Sequence, residues 1–134
     1  MANEYLFVYG TLKSTFNHPQ FEQIKRYTQF ISVARYQGKL FNVDGCYPGV
    51  VPSTNPSDSV YGEVYLLSDA NRLLTILDEY EECSSHYPHP TEYIRSSQII
   101  HFNENMTVKA WIYLYNHKTD GLLRINSGDR KTHV

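Results

Sequence analysis

The sequence predicts an α+β protein: a mixed or antiparallel β-sheet, closed or nearly closed, flanked by two helices. Three observations carry this. Short runs rich in β-branched and aromatic residues recur along the chain, and 14% of its 134 residues are aromatic. Only two segments carry helical spacing. The strands therefore outnumber what two crossovers could make parallel, and closure is the natural way to hide so many edges.

The elements follow in order. Residues 4–9 (EYLFVY) are apolar on both faces, as in a strand buried on both sides, and Gly10 ends it. Asn17, His18 and Pro19 offer a helix start, with Phe21, Ile24 and Lys25–Arg26 continuing toward Tyr27. Residues 30–41 (FISVARYQGKLF) alternate as one strand bent at Gly38. Residues 42–49 are turn-rich, Val50–Val51 is a short extended piece, and 52–59 is a polar loop with two prolines. Residues 60–67 (VYGEVYLL) read as a strand. Ser68 is the expected N-cap of a second helix, with Asp69 complementing its dipole. Leu73, Leu74, Leu77 and Tyr80 form the apolar face of that helix, which should stop near Glu82. Residues 93–102 and 108–115 form a hairpin across Asn103–Asn105, followed by one short apolar piece at 122–125 and a polar tail.

The length, 15.6 kDa, suits a single domain over residues 1–134, large enough to bury a core without staples. Twelve Lys and Arg stand against fourteen Asp and Glu, a net charge of −2. No basic run exceeds two residues, so no nucleic-acid stripe and no polybasic membrane signal is visible. The start has no positive n-region and no window approaches a membrane span, which fits a cytoplasmic protein. Cys46 and Cys83 form neither a CxxC motif nor a disulfide framework. No nucleophile elbow, P-loop or dinucleotide fingerprint is present.

Four segments hold chemistry-bearing residues, each with a plainer alternative. Tyr9-Gly10-Thr11-Leu12, where a strand turns toward a helix, exposes backbone N–H groups suited to a carboxylate or phosphate; the alternative is an ordinary turn. Asp78, Glu79, Glu81 and Glu82 crowd the end of a helix, where acids face the negative pole. Glu81 lies four residues after Leu77, above a core-facing position, and suits an acid/base at a boundary; the alternative is a solvated acidic face. Cys83, His86 and His89 have a zinc-like spacing, but no second cluster supplies a fourth ligand. Tyr93 and Arg95 share a strand face near Tyr113 and Tyr115. They line a polar pocket that holds a carboxylate, or they are cross-strand packing with a surface Arg.

Taken together these segments resemble the gamma-glutamylcyclotransferase-like family. The resemblance runs in order through FVYGTLK at 7–13, YPGVVPS at 47–53, VYGEVYLL at 60–67, LDEYEE at 77–82, EYIR at 92–95, WIYLY at 111–115 and INSGD at 125–129. It implies a small β-barrel with flanking helices and an opening at the YGTL end. It also implies a cofactor-free and metal-free reaction on a small gamma-glutamyl substrate, cyclised to 5-oxoproline with release of an amine or amino acid. Position by position, it implies a substrate cradle at Tyr9, Gly10, Thr11 and Leu12, to which Tyr115 is added as a binding residue. It places the general acid/base at Glu81, with Glu82 its rival. The chain is expected to be a monomer or weak homodimer. A non-catalytic module binding a small carboxylate on the same scaffold is the other reading. Two departures stand out: residues 83–92 lengthen the loop before Tyr-x-Arg, and Arg130 stands where the family often has Trp.

Overall fold

A computed structural model describes residues 3–9, 25–43, 47–81 and 87–129. Its elements are β1 (Glu4–Tyr9), β2 (Thr28–Tyr36), β3 (Gly38–Val43), β4 (Tyr47–Pro52), β5 (Val60–Leu67), α1 (Ala70–Tyr80), β6 (Tyr93–Phe102), β7 (Met106–Tyr115) and β8 (Leu123–Arg124). Five strands close into a barrel in the order β1-β5-β2-β6-β7. Every neighbouring pair is antiparallel except the closing one, where β7 runs parallel to β1 with Leu6 opposite Trp111. A small sheet, β4-β3-β8, packs against the barrel.

Strand alternation divides the core in two. Phe7, Tyr36, Val60, Val64, Ile100, Ile112 and Leu114 point into the barrel, where Leu40 and Val50 of the small sheet and Ile125, just after β8, join them. Leu6, Val8, Tyr65, Leu67 and Tyr113 point outward and receive Leu73, Leu74 and Leu77 of α1. Burying each leucine contributes roughly 1.5–3 kcal/mol. The three recur at helical spacing and dock the helix as its stripe predicts, but Tyr80, the fourth residue expected on that face, is exposed at the end of the helix.

Local details depart from the sequence reading. The alternating run 30–41 is two strands in different sheets, not one bent strand. The chain changes sheet at Gln37, whose side chain donates to the Ser53 carbonyl at 2.7 Å. Residues 47–52, expected as turn and loop around a short extended piece, form β4. Pro48 and Pro52 are tolerated because β4 lies at a sheet edge and needs to donate on one side only. Ser68 does not cap α1; it bonds the Tyr27 carbonyl, and Asp69 takes the N-cap position at φ 50°, ψ 53° without a side-chain cap bond. The β6–β7 hairpin turns at Asn103–Asn105 as expected, with Asn103 at φ 53°, a conformation asparagine tolerates. Lys25 and Arg26 are helical; the rest of the first expected helix lies outside the described residues.

Candidate active site

The strand registers bring several candidate residues to one end of the barrel. β1 and β7 run parallel, so Tyr9 at the end of β1 approaches the end of β7, and Tyr93 at the start of β6 pairs with Tyr115. The Tyr9 hydroxyl donates to the Tyr113 carbonyl at 3.2 Å, tying the last residue of β1 to β7. Gly10, Thr11 and Leu12, the remainder of the expected cradle, lie outside the described residues.

The C-terminal turn of α1 meets the same strands. Leu77 is fully buried, and the Glu81 N–H donates to its carbonyl at 2.9 Å. Glu81 is the C-cap, at φ −83° and ψ 1°, and is partly exposed. Asp78, one turn earlier, accepts from Arg95 twice, Nε to Oδ1 at 2.8 Å and Nη2 to Oδ2 at 3.2 Å. The Tyr113 hydroxyl donates to Asp78 Oδ1 at 2.7 Å. Arg95 and Tyr113 face each other across β6 and β7, so both donors come from one rung of the sheet. The Arg95 guanidinium lies 4.3 Å from the centroid of the Trp111 ring, and the Trp111 indole N–H points at Glu4 Oε1, 3.4 Å away.

Aromatic rings continue this surface. Tyr93 meets Tyr115 edge-on at 5.7 Å between centroids, and Tyr115 meets His117 at 5.8 Å. The Tyr93 hydroxyl donates to the Pro48 carbonyl at 2.8 Å, joining β6 to the small sheet. A cleft of about 810 Å³ opens beside the helix end, lined among others by Asp78, His89, Ile94, Arg95, Trp111 and Asn116. Asn116 braces its rim by donating from Nδ2 to the Thr91 carbonyl at 3.0 Å.

Of the two sequence readings of Arg95, neither is complete. It is no free surface cation, and the carboxylate it grips belongs to the chain itself. The Tyr93–Arg95 alternation marks the face; the partner Asp78 lies on a separate element, where no local pattern points to it. Trp111 and Glu4 carry no role in the sequence reading, because their contact depends on the β1–β7 register. Of the possible Cys83, His86, His89 cluster, only His89 falls within the described residues, on the wall of the cleft. Glu82 and Arg130 lie outside them.

Residues 6–131 match the profile of the family described as gamma-glutamyl cyclotransferase, AIG2-like. The chain belongs to that family. Its similarity to the gamma-glutamylcyclotransferase family protein YtfP of Escherichia coli (strain K12) is 31% identity over 124 residues, 92% of this chain and 93% of the relative. The solution structure of E. coli YtfP superimposes with a TM-score of 0.62 at 30% identity, covering 94% of this chain and 95% of that one. YkqA from Bacillus subtilis gives a TM-score of 0.65 at 29% identity over 98% of this chain, which spans 41% of that longer protein. An AIG2-like protein from Mus musculus shares the fold at 20% identity, with a TM-score of 0.64 over 90% of this chain and 92% of that one. The gamma-glutamyl cyclotransferase fold is thus the frame that packs α1 against β1, β5 and β7 and brings Asp78 to Arg95 of β6.

Proposed function

We propose that the protein is a gamma-glutamyl cyclotransferase-type enzyme that converts a gamma-glutamyl amide or peptide into 5-oxoproline and a free amine or amino acid. Glu81 is the general acid/base in this reading, and residues 9–12 with Tyr115 hold the glutamyl head. One observation carries it. The end of β1 and the last turn of α1 both fasten to Tyr113, the strand through its backbone carbonyl and the helix through its hydroxyl. The segment expected to cradle the substrate and the turn that ends in Glu81 therefore share one anchor.

The chemistry asks for little else. The substrate's α-ammonium must first lose a proton, because a protonated amine has no lone pair for attack. The amine nitrogen then bonds to the γ-carbonyl carbon, closing a five-membered ring with an oxyanion on the former carbonyl. The Glu81 carboxylate takes that first proton from the α-ammonium and returns it to the departing nitrogen, while the second proton, left on the ring nitrogen, passes to the released amine, which leaves as an ammonium. The carbon–nitrogen bond to the leaving group then breaks as the carbonyl reforms. Both reacting groups belong to one molecule, so holding the chain folded removes up to ~7–11 kcal/mol of barrier. A positioned acid/base adds about 10²–10⁴-fold. Backbone N–H groups of the 9–12 segment are the donors this reading aims at the oxyanion or the α-carboxylate.

The test is 5-oxoproline release from a panel of gamma-glutamyl compounds differing in the leaving amine. Wild type is compared with Glu81→Gln and Glu82→Gln. Release from wild type that falls at least about 10²-fold in Glu81→Gln and persists in Glu82→Gln is the expected result. Full release by Glu81→Gln overturns the assignment of Glu81, and no release from any compound by wild type overturns the reaction.

A further inference from the structure

We propose that Asp78 and Arg95 are positioning residues for the cyclisation, their two-point ion pair fixing the last turn of α1 and with it the Glu81 carboxylate. The proposal rests on the function proposed above and adds residues other than Glu81, Tyr115 and the 9–12 segment.

The need for such a device is visible in α1. Its docking contacts are Leu73, Leu74 and Leu77, and apolar burial is non-directional. It holds a helix to a sheet without fixing its rotation or its slide along the axis. The last turn is also electrostatically unfavourable, since it carries Asp78 and Glu79 at the negative pole with no basic residue in that turn. The positive charge that the helix lacks comes from the sheet. Arg95 reaches across with both Nε and Nη2, and a fork onto a planar carboxylate constrains distance and rotation together. Tyr113 adds a third donor to the same Asp78 oxygen from the opposite position on β7.

The fork is itself held in place. The Trp111 ring supports the guanidinium plane, and its indole N–H reaches toward Glu4 on β1. The barrel wall thus specifies where Arg95 sits, Arg95 specifies where Asp78 sits, and the helix carries that placement one turn on to Glu81. Residues three apart on a helix are surface neighbours, so little freedom remains between Asp78 and Glu81. Displacing a catalytic group by about 1 Å can cost on the order of 10²-fold in rate.

Arg95→Lys separates position from mere stability, because lysine keeps the charge and cannot form the fork. The readouts are kcat and KM for 5-oxoproline release, the thermal unfolding temperature, and amide hydrogen exchange at Glu81. The expected result is a fall in kcat of about 10²-fold with KM within about threefold and an unfolding temperature close to wild type. Exchange at the Glu81 N–H should rise about tenfold while the buried amides of β1 are unchanged. Asp78→Asn, which keeps the shape and removes the charge, should behave alike. A kcat equal to wild type in both variants, or a loss that only tracks the unfolded fraction, overturns the proposal. Glu81 exchange equal to wild type overturns it as well, even if no compound is turned over. Absence of wild-type release, with exchange raised in the variants, overturns the reaction and leaves the clamp standing as a device for placing Glu81.

Discussion

At Gly62 the barrel has no room for a side chain. A Cβ there would fall on the Val8 carbonyl oxygen, with Phe7 Cζ and Tyr9 Cα each at 2.9 Å. Gly62→Ala must therefore push β1 away from β5, and an overpacking cost of about 1–3 kcal/mol is expected in urea unfolding. Two side chains among the described residues make stability depend on pH. The Asp58 carboxylate accepts from the Ser53 hydroxyl at 2.6 Å and from Arg124 at 2.7 Å. Those bonds, with the Arg124 charge, hold it below the usual carboxylate range. A carboxyl whose value is lower folded than unfolded stabilises above its unfolded value and loses that contribution as pH falls through the folded one. Thermal unfolding of Asp58→Asn should accordingly show a shallower acid limb below about pH 4 than wild type. Burial pushes the Tyr36 phenol from 10.0 up to about 12. Its contribution is present below the unfolded value and lost between about pH 10 and 12, so Tyr36→Phe should flatten the alkaline limb. None of these partnerships is legible in the sequence. Asp58 and Arg124 lie 66 residues apart, and no local period relates them.

Elements are legible where one local period decides them. The leucine stripe of α1 is such a case, and Leu77→Ala should cost about 2–5 kcal/mol in denaturant unfolding, because Leu77 is fully buried against Leu6 and Val8. The start of α1 is less legible. Ser68 is a good cap by residue type, but the Tyr27 carbonyl competes for it from a distant segment. The 30–41 run shows a second limit. Period-two alternation continues unbroken through Gln37, so nothing local reports that the two halves join different sheets. β4 is hidden for the opposite reason: Pro48, Gly49 and Pro52 are turn residues by composition, and only the edge position makes them acceptable in a strand.

At the scale of the whole molecule, the ordered motifs from FVYGTLK to INSGD carry the family and the barrel, since each is weak alone and their order is not. They do not carry the site's wiring. That Tyr9, Asp78 and Arg95 converge near Tyr113 follows from strand register, which side-chain pattern leaves open between strands far apart in sequence. A ligand that binds the native state alone must raise its stability. 5-Oxoproline at a hundred times its dissociation constant should add about 2.7 kcal/mol to unfolding, in wild type and Glu81→Gln alike. An unchanged unfolding temperature across the titration would count against product binding at this site.

The parallel pairing of β1 with β7 also bears on how the chain is made. β1 leaves the ribosome before every other barrel strand, yet the strand that covers its second edge begins more than a hundred residues later. Until then Leu6 and Val8 sit on a strand with open backbone donors and acceptors, a template for pairing with another chain. A nascent chain stalled before Met106 would hold every barrel strand but the last, and it is in that state that the open edge of β1 is most prone to pair with another chain.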